Sequence, residues 1–316
     1  MWSPATRAPV SSPSDRGSDG RWSRRAFLAL MTAAAATGGA GAGAAPIVRA
    51  IPKSKETLPV IGLGTWQTFD VGGGAEREGP RQVLKRFAEL GGRAVDSSPM
   101  YGRAESVVGD LATELGVRDK LFVATKVWTS GREAGIAQME ASLRRMRGER
   151  IDLMQVHNLV DWRTHLRTLG EWKRGGRVRY VGVTHYTAGA YGELEQIMAG
   201  EPLDFVQLNY SPVEREAERR LLPLAVDRGV AVLVNRPFAE GALFRRVRGQ
   251  TLPDWAGEIG CRSWAQLFLK WIAAHPAVTC VIPATSRPEH LEDNMQAGVG
   301  PLPDAALRAR IAGLVG

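Results

Sequence analysis

From Ile51 onward the chain alternates short apolar runs with longer stretches whose apolar residues recur every three or four positions. Pro59-Val-Ile-Gly-Leu-Gly-Thr-Trp66 reads as a strand ending in Thr65 and Trp66, and Gly72-Gly-Gly74 as a flexible connection to a helix. That helix, near residues 80–90, places Val83, Leu84, Phe87 and Leu90 on one face, and Gly91-Gly92 stops it. Further runs end near Asp96, Lys126, His157, Val183, Gln207, Val234 and Pro283. Each gap holds an amphipathic stretch, for example Ile136, Met139, Leu143 and Met146.

The gaps are about 24 to 34 residues long, with one of about 49 at the end, which is what a strand, a helix and two short loops require. Eight strands alternating with helices predict an α/β fold, a parallel (β/α)8 TIM barrel of about 250 residues, and residues 51–316 have that size. A doubly wound open sheet is the competitor. It announces itself by a glycine-rich turn after the first strand, whereas Gly62 and Gly64 lie inside or at the end of the first run with no third glycine in register. The long last gap contains residues 239–262, too many for a plain connection, and is expected to form a loop over the mouth of the barrel.

Residues 1–50 follow a different pattern and read as a leader, leaving 51–316 as a single barrel domain. Ser23-Arg24-Arg25-Ala26-Phe27-Leu28 matches a twin-arginine signal peptide, followed by an Ala-rich run to Gly43 and small residues where cleavage is expected near Ala45 or Ala50. A retained membrane anchor or a disordered tail is the alternative, but the run is short and rich in Gly and Ala. The expectation is a bacterial protein exported to the periplasm or beyond by the twin-arginine machinery, with no stable membrane span in its mature form. Such signals accompany proteins that cross already folded, often with a cofactor bound.

Composition adds exclusions. The leader's six arginines and two aspartates hold +4 of the net +8, so the barrel is too mildly basic to point to nucleic acid. Cys261 and Cys280 have no metal-ligand spacing and are expected to be free, partly buried thiols. The five histidines form no HxH or HExxH arrangement, so no metal site is expected.

In such a barrel the chemistry belongs at the carboxyl ends of the strands. Asp96, Lys126 and His157 end the second, third and fourth runs, and Tyr101 follows in the loop after the second. A tyrosine is a reluctant proton donor, with an ordinary pKa of about 10, but a nearby ammonium stabilises its phenolate. Lys126 can supply that charge, Asp96 can keep a buried lysine protonated, and His157 can orient or polarise a carbonyl oxygen. Singly, these residues could be a turn cap, an ion pair, a packed ring and a core histidine. Together at consecutive strand ends they point to a reaction.

The sequence resembles the aldo-keto reductase family over residues 55–300. The matching motifs are Gly62-Leu-Gly-Thr-Trp66, Val95-Asp-Ser-Ser-Pro-Met-Tyr-Gly-Arg-Ala-Glu105, Ala124-Thr-Lys126, Asp152-Leu-Met-Gln-Val-His157, Gly182-Val-Thr184, Val206-Gln-Leu-Asn-Tyr-Ser-Pro212 and Ile282-Pro-Ala-Thr-Ser286 with Asn294. The resemblance implies an oxidoreductase that reduces an aldehyde or ketone with hydride from NAD(P)H. Tyr101 would be the general acid, tuned by Lys126 and Asp96, with His157 positioning the substrate.

It also implies a cofactor site built from Thr65, Trp66, Asp96, Thr184, His185, Gln207, Asn235, Arg236, Pro237, Phe238, Thr285, Ser286, Arg287, His290, Asp293 and Asn294. Several of these depart from the family pattern. Thr184 and His185 replace a frequent Ser-Asn pair, and Asn235 stands where many members stack a tyrosine on the nicotinamide. Ala284 and His290 replace the Lys and Arg that often hold a 2′-phosphate. Arg287, with Thr285 and Ser286, can stand in for them, and the expected cofactor is NADP(H) over NAD(H). Trp66, Trp128 and Trp162, with Phe238, are expected to wall the mouth around an apolar or aromatic carbonyl substrate. The alternative function is a cofactor-binding, redox-sensing barrel without significant turnover.

Overall fold

The computed structural model describes residues 45–316; the leader motif at Arg24 and Arg25 lies outside them. The strands are β1 (Val48–Ala50), β2 (Thr57–Pro59), β3 (Leu63–Gly64), β4 (Ala94–Asp96), β5 (Phe122–Val127), β6 (Ile151–His157), β7 (Val178–Thr184), β8 (Phe205–Asn209), β9 (Ala231–Asn235) and β10 (Val278–Val281). β3 to β10 form one parallel sheet in sequence order. Bridges from Ile61 to Val281 and from Gly64 to Ala284 bring its two edges together, giving the (β/α)8 barrel.

The first predicted strand is divided. Thr57–Pro59 turn back to pair antiparallel with Val48–Ala50, and the barrel begins at Val60, whose carbonyl accepts from Val281 N–H, followed by the Gly62 and Gly64 N–H groups, which donate to Val281 O and Pro283 O. Gly62 sits where a Cβ would fall 2.8 Å from Ala94 O and 3.0 Å from Cys280 Sγ. Its missing side chain therefore serves barrel closure. Ile51 and Leu58 from the hairpin cluster with Ala94, Phe122, Phe205 and Ala231, the first residues of their strands. The β1–β2 hairpin thus plugs the amino-terminal end of the barrel, and Val48–Ala50, read from sequence as leader, belong to that plug.

The outer helices include α1 (Glu78–Glu89), α2 (Ala104–Glu114), α3 (Arg132–Arg145), α4 (Trp162–Arg174), α5 (Tyr191–Gly200), α6 (Leu221–Arg228), α7 (Ala242–Arg246), α8 (Trp264–Ala273), α9 (Pro288–Gln296) and α10 (Ala305–Gly313). α1 buries Val83, Leu84 and Phe87 against the sheet, as its periodicity predicts. Residues 239–262 differ from expectation. Glu240 and Gly241 reach the mouth, but Leu243 of α7 and Val247 pack with Phe268 of α8 and with Val315. Those apolar side chains draw most of the segment onto the barrel's flank. No described helix is long and apolar enough to cross a membrane, and both cysteines are buried free thiols.

Candidate active site

Register and turn geometry gather the ionisable groups at the carboxyl ends of the strands. Asp96 and His157 are the last residues of β4 and β6, and Lys126 the last but one of β5. Tyr101 sits in the turn before α2, where Tyr101 N–H donates to Ser98 O and Ala104 N–H to Tyr101 O. Gly102 has φ +59°, and a Cβ there would lie 2.3 Å from the Asp70 carboxylate, which accepts from Arg103 N–H at 2.9 Å. The Tyr-Gly pair is a turn that only glycine can make.

Lys126 Nζ donates to Asp96 Oδ2 and to Ser97 O, both at 2.6 Å, and lies 5.0 Å from the Tyr101 ring centroid. Asp96 Oδ1 accepts from Gln155 Nε2 at 3.1 Å and Gln207 Nε2 at 2.9 Å. Burial works to discharge Lys126, but Asp96 and then Tyr101 outweigh it, and its pKa rises above the ordinary value. The lysine is therefore a permanent cation. Burial pushes the Tyr101 phenol upward, Lys126 pulls it back, and the balance lies above the phenol's ordinary value. The ammonium moderates the tyrosine without bringing it below its ordinary value, and the phenol holds its proton at neutral pH.

His157 is held neutral: burial first, then the Lys126 and His185 charges, lower its pKa to about 2. Its Nδ1 is 3.0 Å from Ser98 Oγ, and its ring meets Tyr101 edge-on at 5.9 Å.

Asp96, Tyr101 and His157 floor a cavity of about 670 Å³, with Lys126 buried behind them. Trp66, Met100 and Trp128, each about two-fifths exposed, form an apolar rim. Thr184, Gln207 and Asn235 supply one polar wall, which continues through Arg236, Pro237 and Phe238. Thr184 Oγ1 donates to Gln207 Oε1 at 3.1 Å, while the buried Asn235 Oδ1 has no partner. An unpaired buried amide oxygen beside oriented amide and hydroxyl groups suits a carboxamide, so this wall fits a nicotinamide.

The other predicted residues divide between the cavity and its surroundings. Thr65 is buried with its hydroxyl on Asp96 O, and lines the cavity. His185 is turned aside, its Nδ1 accepting from Tyr186 and Thr187 N–H, and does not line it. Thr285, Ser286 and Arg287 occupy the β10–α9 connection beyond Ala284, outside the cavity lining, and exposed Arg287 donates to Glu289 at 2.7 Å. His290 is exposed on α9; Asp293 accepts from Ser263 and Gln266, tying α9 to α8, and Asn294 is buried. Trp162 opens α4, donates to Glu193 at 3.0 Å and does not line the cavity. Met100, Asn158 and Tyr186 line it without having been predicted. Asn158 directly follows His157 with φ +52°, a backbone state that sequence does not display. Among the described residues no cluster of His, Cys, Asp or Glu could hold a metal.

Barrel and site together fit an oxidoreductase of the carbonyl–alcohol class, with a protonated tyrosine, a charged lysine–aspartate pair and a neutral histidine at the mouth of the strands. The model of the aldo/keto reductase family matches residues 60–310, and the chain belongs to that family. It is 29% identical over 245 residues to the methylglyoxal reductase YeaE of Escherichia coli, spanning 75% of this chain and 84% of that protein. It is 25% identical over 248 residues to the methylglyoxal reductase DkgB of Escherichia coli O157:H7, spanning 76% and 87%. An aldo-keto reductase of Klebsiella pneumoniae solved with NADPH superposes with a TM-score of 0.72 and 25% identity, covering 87% of this chain and 96% of that one.

Proposed function

We propose that this protein reduces small aldehydes or ketones to alcohols using NADPH, acting on apolar or vicinal-dicarbonyl substrates that fit beneath Trp66 and Trp128. The observation that carries the reading is the Asp96–Lys126 pair beneath Tyr101, facing neutral His157 across the cavity floor. Bound NADPH supplies hydride to the carbonyl carbon. Tyr101 delivers its phenolic proton to the carbonyl oxygen, and Lys126 stabilises the phenolate left behind. His157 is uncharged and does not compete with Tyr101 as acid. Thr184, Gln207 and Asn235 would hold the nicotinamide carboxamide, and Arg287 the adenosine 2′-phosphate, a guanidinium being suited to that group. The methylglyoxal reductases YeaE and DkgB, among its relatives, support a small dicarbonyl.

Export rests on the Arg24-Arg25 motif alone. In this reading the enzyme folds around its cofactor before crossing the membrane. Arg24→Lys with Arg25→Lys should then trap precursor in the cytoplasm; an unchanged distribution would refute it.

The decisive experiment titrates the purified protein with NADPH and NADH by fluorescence and follows NADPH oxidation over a panel of aldehydes, methylglyoxal among them. Turnover that Tyr101→Phe lowers by about 10²- to 10⁴-fold, with NADPH binding kept, is the expected result. Tight binding without turnover on any aldehyde, or a fully active Tyr101→Phe protein, would overturn the reading.

A further inference from the structure

Ser98 touches none of the reacting groups assigned above except His157. It is fully buried. Its Oγ lies 3.0 Å from His157 Nδ1 and also accepts from Met100 N–H at 3.4 Å. An oxygen already accepting a backbone proton leaves its own hydrogen free to point elsewhere, and Nδ1 is its other partner among the described residues. A neutral imidazole carries one proton, so an accepting Nδ1 places that proton on Nε2.

The position of that proton decides what the ring can do. His157 lines the cavity, and its Nε2 has no hydrogen-bond partner among the described residues. A carbonyl oxygen can only accept. An Nε2 with its proton donates to it, whereas an Nε2 without one sets lone pair against lone pair.

We propose that Ser98 is a positioning residue that locks His157 as the Nε2–H tautomer, so that the ring enters the site as a hydrogen-bond donor to the substrate carbonyl oxygen. The inference rests on the carbonyl-reductase reading. Turn-building alone does not account for the hydroxyl: the turn's bond from Tyr101 N–H goes to the Ser98 backbone carbonyl and survives its removal, and the longer contact from Met100 N–H, at 3.4 Å, uses the oxygen only as an acceptor and leaves its O–H to be satisfied elsewhere. The neighbouring Ser97 hydroxyl is buried without any partner and gives no substitute contact.

The test is long-range proton–nitrogen NMR on the full chain with ¹⁵N-labelled histidine. There are only five histidines, and His157→Gln identifies the signal. Native His157 should appear as the Nε2–H tautomer with a hydrogen-bonded Nδ1. Ser98→Ala should shift the ring toward a mixture that includes the Nδ1–H form. It should also lower kcat about tenfold with KM nearly unchanged, since a bond to the carbonyl oxygen strengthens as negative charge develops there. NADPH binding by Ser98→Ala checks that the variant is folded. A native Nδ1–H tautomer overturns the proposal even if the variant fails to fold. So does a folded Ser98→Ala protein with an unaltered tautomer, or with an altered tautomer and unaltered kcat. The tautomer reading needs no turnover, so it stands apart from the Tyr101→Phe experiment: a fully active Tyr101→Phe protein would sink the reductase reading and leave the spectrum to judge Ser98.

Discussion

Lys126 Nζ lies 2.6 Å from Asp96 Oδ2, with the two side chains 0% and 5% exposed. A charge so deeply buried depends on its partner, because removing one member leaves the other without water or counterion. Asp96→Ala should therefore destabilise the fold by about 3–5 kcal/mol, read from the urea midpoint. The Gln155 and Gln207 amide donors would lose their common acceptor as well. Activity should fall further than stability accounts for, since a discharged Lys126 no longer stabilises the Tyr101 phenolate. A loss below about 1 kcal/mol would mean that the ammonium finds other compensation.

His157 links the site to acid stability. Its pKa is lowered from 6.5 to about 2, chiefly by burial. Below pH 6.5 the unfolded chain binds a proton here that the native chain refuses, so this contribution to stability is present above that pH and is lost as pH falls. The full effect is about 1.4 kcal/mol per pH unit. His157→Gln should lose stability less steeply between pH 6.5 and 5 than the parent. His275, lowered to about 4 by burial, acts in the same direction but is common to both proteins. Equal slopes in denaturant titrations at several pH values would show that His157 takes up its proton in the native state.

Arg287 is exposed and paired with Glu289, an arrangement of little value to stability. Its worth should appear in cofactor choice. Arg287→Ala is expected to weaken NADPH binding about tenfold and leave NADH unaffected, whereas Glu289→Ala, which releases the guanidinium, should tighten NADPH. Titration of both nucleotides decides it; an equal effect on NADPH and NADH would remove Arg287 from phosphate recognition.

The parts of the fold legible in the sequence were those set by one strand and its own turn. Asp96, Lys126 and His157 could be placed because buried parallel strands are continuous apolar runs, and a polar residue at the end of a run stands at the mouth. The beginning of the barrel was less legible. Val60 to Gly64 look continuous with Pro59, yet the chain changes partner there, from the β1–β2 hairpin to β10, and only distant Val281 and Pro283 reveal it. Trp162 shows the same limit. A tryptophan just after a strand end is at the right height, but whether its ring faces the cavity or Glu193 depends on how α4 packs. Ser98 lies in the most recognisable stretch of the chain, and its function depends on a contact 59 residues away.

The hairpin that closes the barrel floor also bears on maturation. Ile47 N–H donates to Gly298 O at 2.7 Å and Val60 N–H to Ile47 O at 2.9 Å, while the Arg49 guanidinium reaches Ala273 O at 3.0 Å and Pro276 O at 3.2 Å. Processing after Ala50 would strip β1 and these bonds; processing near Ala45 would keep them. If the chain is exported and cut, mass spectrometry of the extracytoplasmic form should find an N-terminus that retains Ile47. Deleting residues 45–50 from such a form should cost roughly 3 kcal/mol of stability, counting about 1 kcal/mol for each of the two Ile47 backbone bonds and for the part-buried bond of Arg49 to Ala273 O, the exposed bond to Pro276 O being left out. A stable, active mature protein beginning at Ile51 would show that the floor holds without its first strand, and that Leu58 and Ile51 alone suffice to plug the barrel.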